Sequence, residues 1–420
     1  MTQSFPPLPR EPQGAAPVRR RVFVAAIGVV STIWLTLLSG WLGMKLGMPL
    51  AERQNVLFQS DTMLWVGWML GAPHLQITPI QVIHPLQVIL WSLPCRFVAV
   101  VVGLFMPHLA SLLFAARLFV AICAGTGIAY LAWFALRIGM RELECAVLFT
   151  MYLLFTSNST ICLPEHFAVS NALLTIAFVA PIFAANSRVR LTILGIMTVL
   201  IGGTTVTNTF FPVLSAVGSD LKSPRLRLAA FIAGSFFVFG VAYFLYGHSW
   251  DYHQYISHGM RWRIFNDPLG TGTYLFYFLV SPVIGPHPLI VNVWSGPMVS
   301  YDPPDGTLSM ARYLGIQLIG GVAWLILLLR CTLEAYRNQA ARTPLILLLS
   351  WLLFNCVFHN LWGDDLSLYE PHWSWALMAL VVMGAPRLPR RFVLVTALLV
   401  IVAQVPALLE IKKTLETMTS

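Results

Sequence analysis

Charged side chains are scarce in this chain. Only 10% of its 420 residues are Asp, Glu, Lys or Arg, whereas 57% are hydrophobic. A soluble domain carries about 25% charged residues, so the composition excludes an ordinary soluble protein. The mean hydropathy of +0.74 indicates a membrane protein with many spans. One helical bundle accommodates a chain of this length as a single domain.

Other common signatures are missing as well. The six cysteines form no CxxC motif, so we expect buried small hydrophobes, with an outer disulfide between Cys95 and Cys162 as the alternative. No small-residue cleavage site follows the first apolar run, which predicts a retained span. The net charge of +9 does not indicate nucleic acid, because the basic residues recur as short clusters between apolar runs.

These basic clusters predict the topology. Cytoplasmic loops are enriched in Lys and Arg, so an even number of crossings separates each pair of clusters. The apolar runs then predict an all-α polytopic membrane protein with about eleven transmembrane helices. Residues 1–20 are expected to form a disordered cytoplasmic tail, and 21–420 a single transmembrane domain. Lys412 and Lys413 would fall outside, so either the last run does not cross or the exception is tolerated.

The same rule of even crossings predicts the topology of two ambiguous stretches. Residues 84–106 must not cross, and their interruption by Pro85, Pro94 and Arg96 favours one or two interfacial helices in the first outer loop. Residues 191–221 must hold two short crossings, with the turn at 202–212. The apolar stretch 274–285 is too short to span. It is expected to dip into the membrane or to cap the lipid groove, and its aromatic residues fit an interfacial position.

Polar chemistry gathers on the predicted outer face. The outer loops are 46–108, 247–312 and 360–372, with a smaller one at 158–166. Nine of the ten histidines lie in these loops and His359 lies directly before the last one. Even the short loops pair a carboxylate with an imidazole. This pattern favours a chemical site at the outer interface. Except for Arg117, no charge lies deep in a span, although an ion-coupled carrier usually places acids near the midplane.

The order of these features resembles the GT-C superfamily of integral-membrane glycosyltransferases, which includes protein O-mannosyltransferases and aminoarabinose transferases. The resemblance covers residues 20–230. It consists of Asp61 early in the first loop, His84-Pro85-Leu86, the arginine of AARLF (115–119), the basic turn LRIGMRE (136–142) and LPEH (163–166). The family often has a second acid beside the first and reads His-Pro-Pro-Leu, which this chain lacks.

The resemblance implies transfer of a sugar from a polyprenyl-phosphate carrier to an acceptor at the extracytoplasmic face. Asp61 would then be the base that removes the acceptor proton. The alternatives for Asp61 are a helix N-cap and an ion pair with Arg53. Arginines suit the phosphate, because their planar fork matches its oxygens. The candidates are Arg117, Arg261, Arg263 and Arg312, and structural pairing or snorkelling is the alternative role.

The remaining candidates are histidines and acids. His84 is expected to orient Asp61 or the acceptor, or to be a simple loop element. Glu165 and His166 are expected on the acceptor side, or in a turn. Glu370 and His372, with Asp364 and Asp365, offer oxygen and imidazole ligands to a divalent metal ion. The alternative is an ordinary loop or a substrate contact, and no cofactor is certain.

Two other functions stay open: a lipid or polysaccharide transporter or flippase, and a noncatalytic scaffold for envelope assembly. The expected partners are the polyprenyl-phosphate sugar donor, membrane lipid and an acceptor of unknown class. The expected location is a bacterial inner membrane, with the site on its outer face.

Overall fold

The fold is described from a computed structural model over residues 16–43, 62–70, 84, 86–106, 108–218, 268–293, 296–301, 308–361 and 366–418. Its first half contains α1 (Ala16–Gly43), α2 (Thr62–Leu70), α3 (Gln87–Gly103), α4 (His108–Arg137), α5 (Glu142–Leu153), α6 (Asn158–Ile161), α7 (His166–Ile182), α8 (Ser187–Thr204) and α9 (Phe210–Gly218). Its second half contains α10 (Pro268–Val280), β1 (Leu289–Val293), β2 (Gly296–Ser300), α11 (Gly315–Arg337), α12 (Arg342–Leu361), α13 (Leu366–Tyr369), α14 (Pro371–Gly384) and α15 (Arg390–Thr417). Short 3₁₀ turns lie at Val206–Thr209, Met310–Arg312, Gln339–Ala341 and Ala385–Arg387.

Among these described residues, five helical segments are long and apolar enough to cross a membrane. They are Val18–Leu42, Leu112–Arg137, Gly315–Arg337, Gln339–Asn360 and Arg390–Thr417. A crossing takes about 20 apolar residues, so this result confirms a helical membrane protein. The predicted count of about eleven is not confirmed, since several apolar helices are shorter and the run near 226 lies outside the described residues.

Arginines gather where several helices begin or end at one side of the bundle. The Arg19 guanidinium lies 2.7 Å from the Glu142 carboxylate, which joins the start of α1 to the start of α5. The Arg390 guanidinium lies 3.7 Å from the Glu144 carboxylate, which places the start of α15 at the same side of the bundle. We call this side the basic end. Because α1 begins at Ala16, the last five residues of the predicted tail are helical.

The final helix, α15, packs mainly on α11 and α5. It begins at the basic end with Arg390, and near its other end the Lys412 ammonium donates to the Trp41 carbonyl at 2.6 Å. Trp41 lies close to the end of α1, so the two helices run parallel. Of the two alternatives for the last run, the structure therefore supports a full-length helix with Lys412 at the far side. A carbonyl and the Trp41 ring, 5.7 Å away, accommodate its charge.

The stretch 84–106 of the first predicted loop contains one helix, α3. It continues through Pro94 for 17 residues, which agrees with the prediction of one or two helices there. The Arg96 guanidinium donates to the Met69 carbonyl at 3.2 Å, which ties α3 to α2. Leu93 and Phe97, one turn apart, are exposed on the outside of the bundle. An exposed apolar face of this kind suits contact with lipid.

The second long loop adds a hairpin and a partly buried helix to the predicted helical fold. Strands β1 and β2 pair as an antiparallel hairpin, and the other described elements are helical, as predicted. Helix α10 lies in the stretch expected at the interface, and two of its aromatics, Tyr277 and Phe278, are buried in the protein. The Phe278 ring stacks on Trp373 with centroids 4.6 Å apart. The Trp373 indole also donates to the Phe278 carbonyl at 3.0 Å, so these aromatics belong to the core.

The predicted short helical pair is present. Helix α8 ends at Thr204, the 3₁₀ turn spans Val206–Thr209, and α9 starts at Phe210. Helix α8 has 18 residues, about 27 Å of helix. The Arg190 guanidinium at its start donates to the Pro181 carbonyl at the end of α7. Helix α8 therefore leads from that side of the bundle to the opposite one.

Candidate functional site

Four histidines meet at the side of the bundle opposite to the basic end. We call them the histidine cluster and their side of the molecule the histidine end. His84 precedes α3, His166 begins α7, His359 lies in the last turn of α12, and His372 is the second residue of α14. His84, His359 and His372 are buried, as are the neighbouring carboxylates of Glu165 and Glu370. Several chain segments that are distant in sequence thus supply one polar interior site.

His84 is held by the end of α8. Its Nδ1 lies 2.6 Å from the Thr204 carbonyl oxygen. A carbonyl only accepts, so in the neutral ring Nδ1 carries the proton and Nε2 keeps its lone pair. The Leu86 amide donates to the Gly203 carbonyl at 2.8 Å. A Cβ at Gly203 would come within 2.7 Å of the Leu86 Cβ, so glycine permits this close approach.

Glu165 and His166 form a pair at the start of α7. The Glu165 carboxylate lies 3.2 Å from the His166 Nδ1. The His166 ring lies against His84 with centroids 4.0 Å apart. A carboxylate that accepts from Nδ1 leaves the lone pair on Nε2. His84 and His166 are therefore two adjacent imidazoles, each with its Nδ1 hydrogen-bonded and its Nε2 suited to accept a proton or a hydrogen bond.

The second half of the cluster comes from α12 and α14. The His372 ring is 6.1 Å from both His166 and His359, measured between centroids. His359 stacks on Tyr369 at 4.5 Å. The His372 carbonyl accepts from the indoles of Trp351 and Trp375 at 2.9 and 2.8 Å. The bond from Trp351 fixes the start of α14 beside α12.

One hydrogen bond joins the two halves. The Asn171 amide on α7 donates to the Pro371 carbonyl at the start of α14, 2.8 Å away. The steps Pro164-Glu165-His166 and Glu370-Pro371-His372 thus both begin helices that are bonded to each other. Neither ring nitrogen of His372 has a hydrogen-bond partner within the described residues. A buried imidazole without a partner is costly, so this ring is suited to bind a polar ligand.

The arginines predicted to bind phosphate differ in their contacts. Arg117 on α4 is partly buried and within electrostatic range of Cys162, three residues before Glu165. Arg312 donates to the backbone carbonyls of Tyr301 and His287, so its guanidinium already holds the hairpin in place. Arg261 and Arg263 lie outside the described residues.

Asp61 also lies outside the described residues. The helix α2 begins at Thr62, the next residue in the chain, and it packs on α4 through Trp65 and Phe119, whose rings are 6.3 Å apart. Both the base and the N-cap role of Asp61 stay predictions.

Only two of the four predicted metal ligands lie in the described part of the chain. Asp364 and Asp365 lie outside the described residues, and the described part of the chain contains no group of three or more His, Cys, Asp or Glu side chains arranged to hold a metal ion. Glu370 and His372 are instead part of the buried cluster, which corrects the alternative that they belong to an ordinary exposed loop.

Sequence reasoning missed His359 and Thr204. His359 was only one of ten outer histidines, and its signal was weak: a polar residue near the end of the run that begins at 343. Thr204 was part of a predicted turn. Its carbonyl fixes His84, and its hydroxyl accepts from the Trp91 indole at 2.9 Å. A backbone acceptor of this kind has no sequence signature.

The buried state of His84 predicts a pH dependence of stability. Burial lowers the pKa of His84 well below 6.5, and nearby His166 lowers it further, against the Thr204 carbonyl, which raises it. Above pH 6.5 the ring is neutral in both folded and unfolded chains. Below pH 6.5 only the unfolded chain takes the proton, so the free energy of unfolding should fall by about 1.4 kcal/mol per pH unit for this group.

Unfolding of the purified protein in detergent at pH 8, 7, 6 and 5 measures this effect. The His84→Gln variant should show a weaker decline below pH 6.5. The matched control is His287→Gln, which removes a half-exposed ring 3.3 Å from Glu410 and should keep the wild-type decline. Equal slopes for all three proteins would contradict the role assigned to His84.

Comparison of the chain with protein-family models, curated proteins and solved structures finds no match. The fold alone therefore defines the class. The chain is a helical, multi-pass membrane protein with a buried cluster of histidines and carboxylates at one end of its bundle.

Proposed function

We propose that the protein is a glycosyltransferase of the membrane. It transfers a sugar from a polyprenyl-phosphate carrier to an acceptor at the extracytoplasmic face of a bacterial inner membrane. In this orientation the basic end faces the cytoplasm, as the excess of arginine there favours, and the histidine end faces outward.

One observation carries the proposal. His84, the Glu165–His166 pair and His372 come from sequence segments that the resemblance and the outer loops singled out, and they meet in one buried cluster. A purely structural end of a helical bundle needs no such collection of imidazoles and carboxylates, because burying them is costly. Polar groups gathered in the interior are typical of a site that binds or reacts with a polar substrate.

The proposed reaction needs a base for the acceptor and positive charge for the departing phosphate. An acceptor hydroxyl or amine attacks the anomeric carbon, the bond between that carbon and the phosphate oxygen breaks, and the polyprenyl phosphate leaves. Asp61 takes the acceptor proton. Arg117 pairs with the phosphate, whose negative charge grows as it leaves. Arg261 and Arg263 are further candidates for that phosphate.

The histidine cluster takes the acceptor in this proposal. The Nε2 atoms of His84 and His166 accept hydrogen bonds from its hydroxyl groups, and His372 makes the next contact. Glu165 keeps the His166 ring oriented through the contact of 3.2 Å at Nδ1. Arg117 is within electrostatic range of Cys162, three residues before Glu165, so the proposal places the donor phosphate beside the acceptor.

The test uses membranes that contain the protein and a radiolabelled polyprenyl-phosphate hexose or pentose. The wild type should release polyprenyl phosphate and transfer label to a lipid, glycan or protein fraction. Asp61→Asn should lower transfer by about 10²–10⁴-fold, while the variant still elutes as a folded protein. Glu52→Gln, which changes another acid of the same predicted loop, is the matched control and should keep transfer. Unchanged transfer by Asp61→Asn would remove Asp61 from the mechanism, and no transfer by the wild type from any carrier sugar would reject the proposed function.

A second candidate, a carrier or flippase, is favoured by the broken helix α8–α9. Thr204, Thr205 and Asn208 are buried at its 3₁₀ turn, and the Ser170 hydroxyl on α7 lies 3.1 Å from the Thr205 hydroxyl. Broken helices with buried polar backbone form substrate sites in carriers. A carrier would move the intact labelled lipid across sealed vesicles without release of polyprenyl phosphate, which separates the two functions in the same assay.

A further inference from the structure

A groove lies between α1 and α4, away from the histidine cluster. Its volume is about 630 Å³, and its lining runs from Val24 to Ile33 on α1 and from Ile122 to Trp133 on α4. Large apolar side chains such as Ile33, Ile122 and Tyr130 are exposed along it. In a membrane protein, an apolar groove on the outside of two spanning helices is open to lipid chains.

Small residues form the floor of this groove. Gly28 and Gly125 bring the two backbones together: a Cβ at Gly125 would lie 2.8 Å from the Gly28 carbonyl oxygen. A Cβ at Gly28 would lie 3.1 Å from the Ala129 Cβ. The larger side chains on both sides, including Tyr130 and Trp133, stand above this floor. The close contact of the helices thus creates a trough and not a filled surface.

The position of the groove assigns it to one leaflet. Its two lining segments extend about 14 and 17 Å along the helices, roughly half of the ~30 Å hydrocarbon core. On α4 the segment lies between the middle of the helix and its end at the basic end. On α1 the segment begins eight residues from the start at the basic end and reaches a few residues past the middle. The length of the groove along the helices suits one acyl chain of the leaflet at the basic end. The histidine cluster lies at the opposite end, so a polyprenyl phosphate bound there would not place its phosphate at this groove.

Arginines lie at the mouth of the groove. Arg21 comes three residues before Val24, and Arg137 four residues after Trp133, so each is about one turn below a lining residue on the same helix face. The Arg137 guanidinium lies over the Trp133 ring, 5.8 Å from its centroid. Arg19 is paired with Glu142, whereas Arg21 is exposed. The mouth is therefore positively charged at the depth of the lipid headgroups.

We propose that this groove is a specific site for an anionic phospholipid of the surrounding membrane. One acyl chain lies in the groove, and the phosphate contacts Arg21 and Arg137. Arginine pairs with phosphate oxygens through its planar fork, and clusters of basic residues beside a span attract anionic lipids. The complementarity of charge at the mouth selects the headgroup, and the apolar trough accepts the chain. This site is independent of the proposed sugar transfer.

The experiment uses delipidated protein in detergent, with dioleoyl phosphatidylglycerol and dioleoyl phosphatidylcholine as probes of equal chains. Native mass spectrometry counts the bound lipid. The wild type should bind one phosphatidylglycerol about tenfold more tightly than phosphatidylcholine. Arg21→Gln with Arg137→Gln should abolish that preference. Ala25→Phe with Thr126→Phe, at lining positions on opposite sides, should lower occupancy by both lipids at least fivefold because it fills the trough.

The matched control is Arg188→Gln with Arg391→Gln, two exposed arginines at the starts of α8 and α15, which should keep the wild-type preference. Retention of helical circular dichroism and of the elution volume shows that each variant is folded. Equal binding of the two lipids to the wild type overturns the proposal. A preference for phosphatidylglycerol that survives in Arg21→Gln with Arg137→Gln also overturns it. If the control pair loses the preference equally, the preference comes from general surface charge, and the proposal of a specific site is overturned as well.

Discussion

Replacement of His166 by glutamine is expected to lower sugar transfer by about 10²-fold or more. In the proposed mechanism the Nε2 atom of His166 accepts a hydrogen bond from the acceptor and orients it. The ring is held on one side by Glu165 at 3.2 Å and on the other by His84, with ring centroids 4.0 Å apart. Glutamine keeps a polar group at the position but loses the fixed direction of the imidazole.

Glu165 acts through His166 and is a positioning residue. Glu165→Gln should therefore lower transfer by about tenfold, less than the change at His166. The variant with both substitutions should be no slower than His166→Gln alone, because a group that only orients the imidazole has no effect once the imidazole is gone. Initial rates at saturating and at limiting donor separate an effect on turnover from one on binding.

The control for this series is His287→Gln, a histidine of the described second loop outside the cluster, which should keep the wild-type rate. Each variant is also unfolded by denaturant, since a fall in stability without a fall in rate would assign Glu165 and His166 to structure alone. Multiplicative losses in the double variant would contradict the orienting role of Glu165.

The largest effect on stability is expected at Gly384, near the basic end. A Cβ at this position would overlap the backbone of Cys331 on α11. Backbone atoms cannot move aside as the tip of a side chain can, so α11 and α14 would have to separate. Gly384→Ala should lower the free energy of unfolding by about 3 kcal/mol. Both helices are deeply buried elsewhere along their length, as at Trp324 on α11 and Trp373 on α14, so a separation would disturb the core.

Gly195→Ala is the matched control. Gly195 lies within α8, and a Cβ there would meet no atom within 4 Å. Alanine has a higher helix propensity than glycine by up to about 1 kcal/mol, so this variant should be as stable as the wild type or slightly more stable. Denaturant titration followed by circular dichroism compares the two. Equal midpoints for both variants would show that α11 and α14 tolerate separation at this crossing.

Much of the architecture followed from local properties of the sequence. The scarcity of charge and the length of the apolar runs predicted a helical membrane protein, and five long apolar helices in the described residues confirm it. The break between α8 and α9 was predicted from two runs too short for ordinary crossings, and the 3₁₀ turn at Val206–Thr209 lies there. The aromatics of α10 fitted either an interface or a core, and only their tertiary neighbours show that Tyr277 and Phe278 lie in the core.

The site was predictable in its parts and not in its assembly. His84, Glu165, His166, Glu370 and His372 were candidates because polar residues are rare in this chain. That they meet depends on the Thr204 carbonyl, on the bond from Asn171 to Pro371 and on the indoles that fix α14. Arg312 was an equally good candidate by type, yet it holds two carbonyls of its own hairpin region.

The sequence by itself determined the class of protein, the sidedness of its arginines and the residue types available for chemistry. These properties depend on composition and on the length of each run, so they can be read from one segment at a time. Only the tertiary structure decided which polar residues share a site, that α15 runs parallel to α1, and that α1 and α4 enclose a groove. Such features depend on how closely particular helices pack, and a single glycine or backbone carbonyl far away in the chain sets that distance.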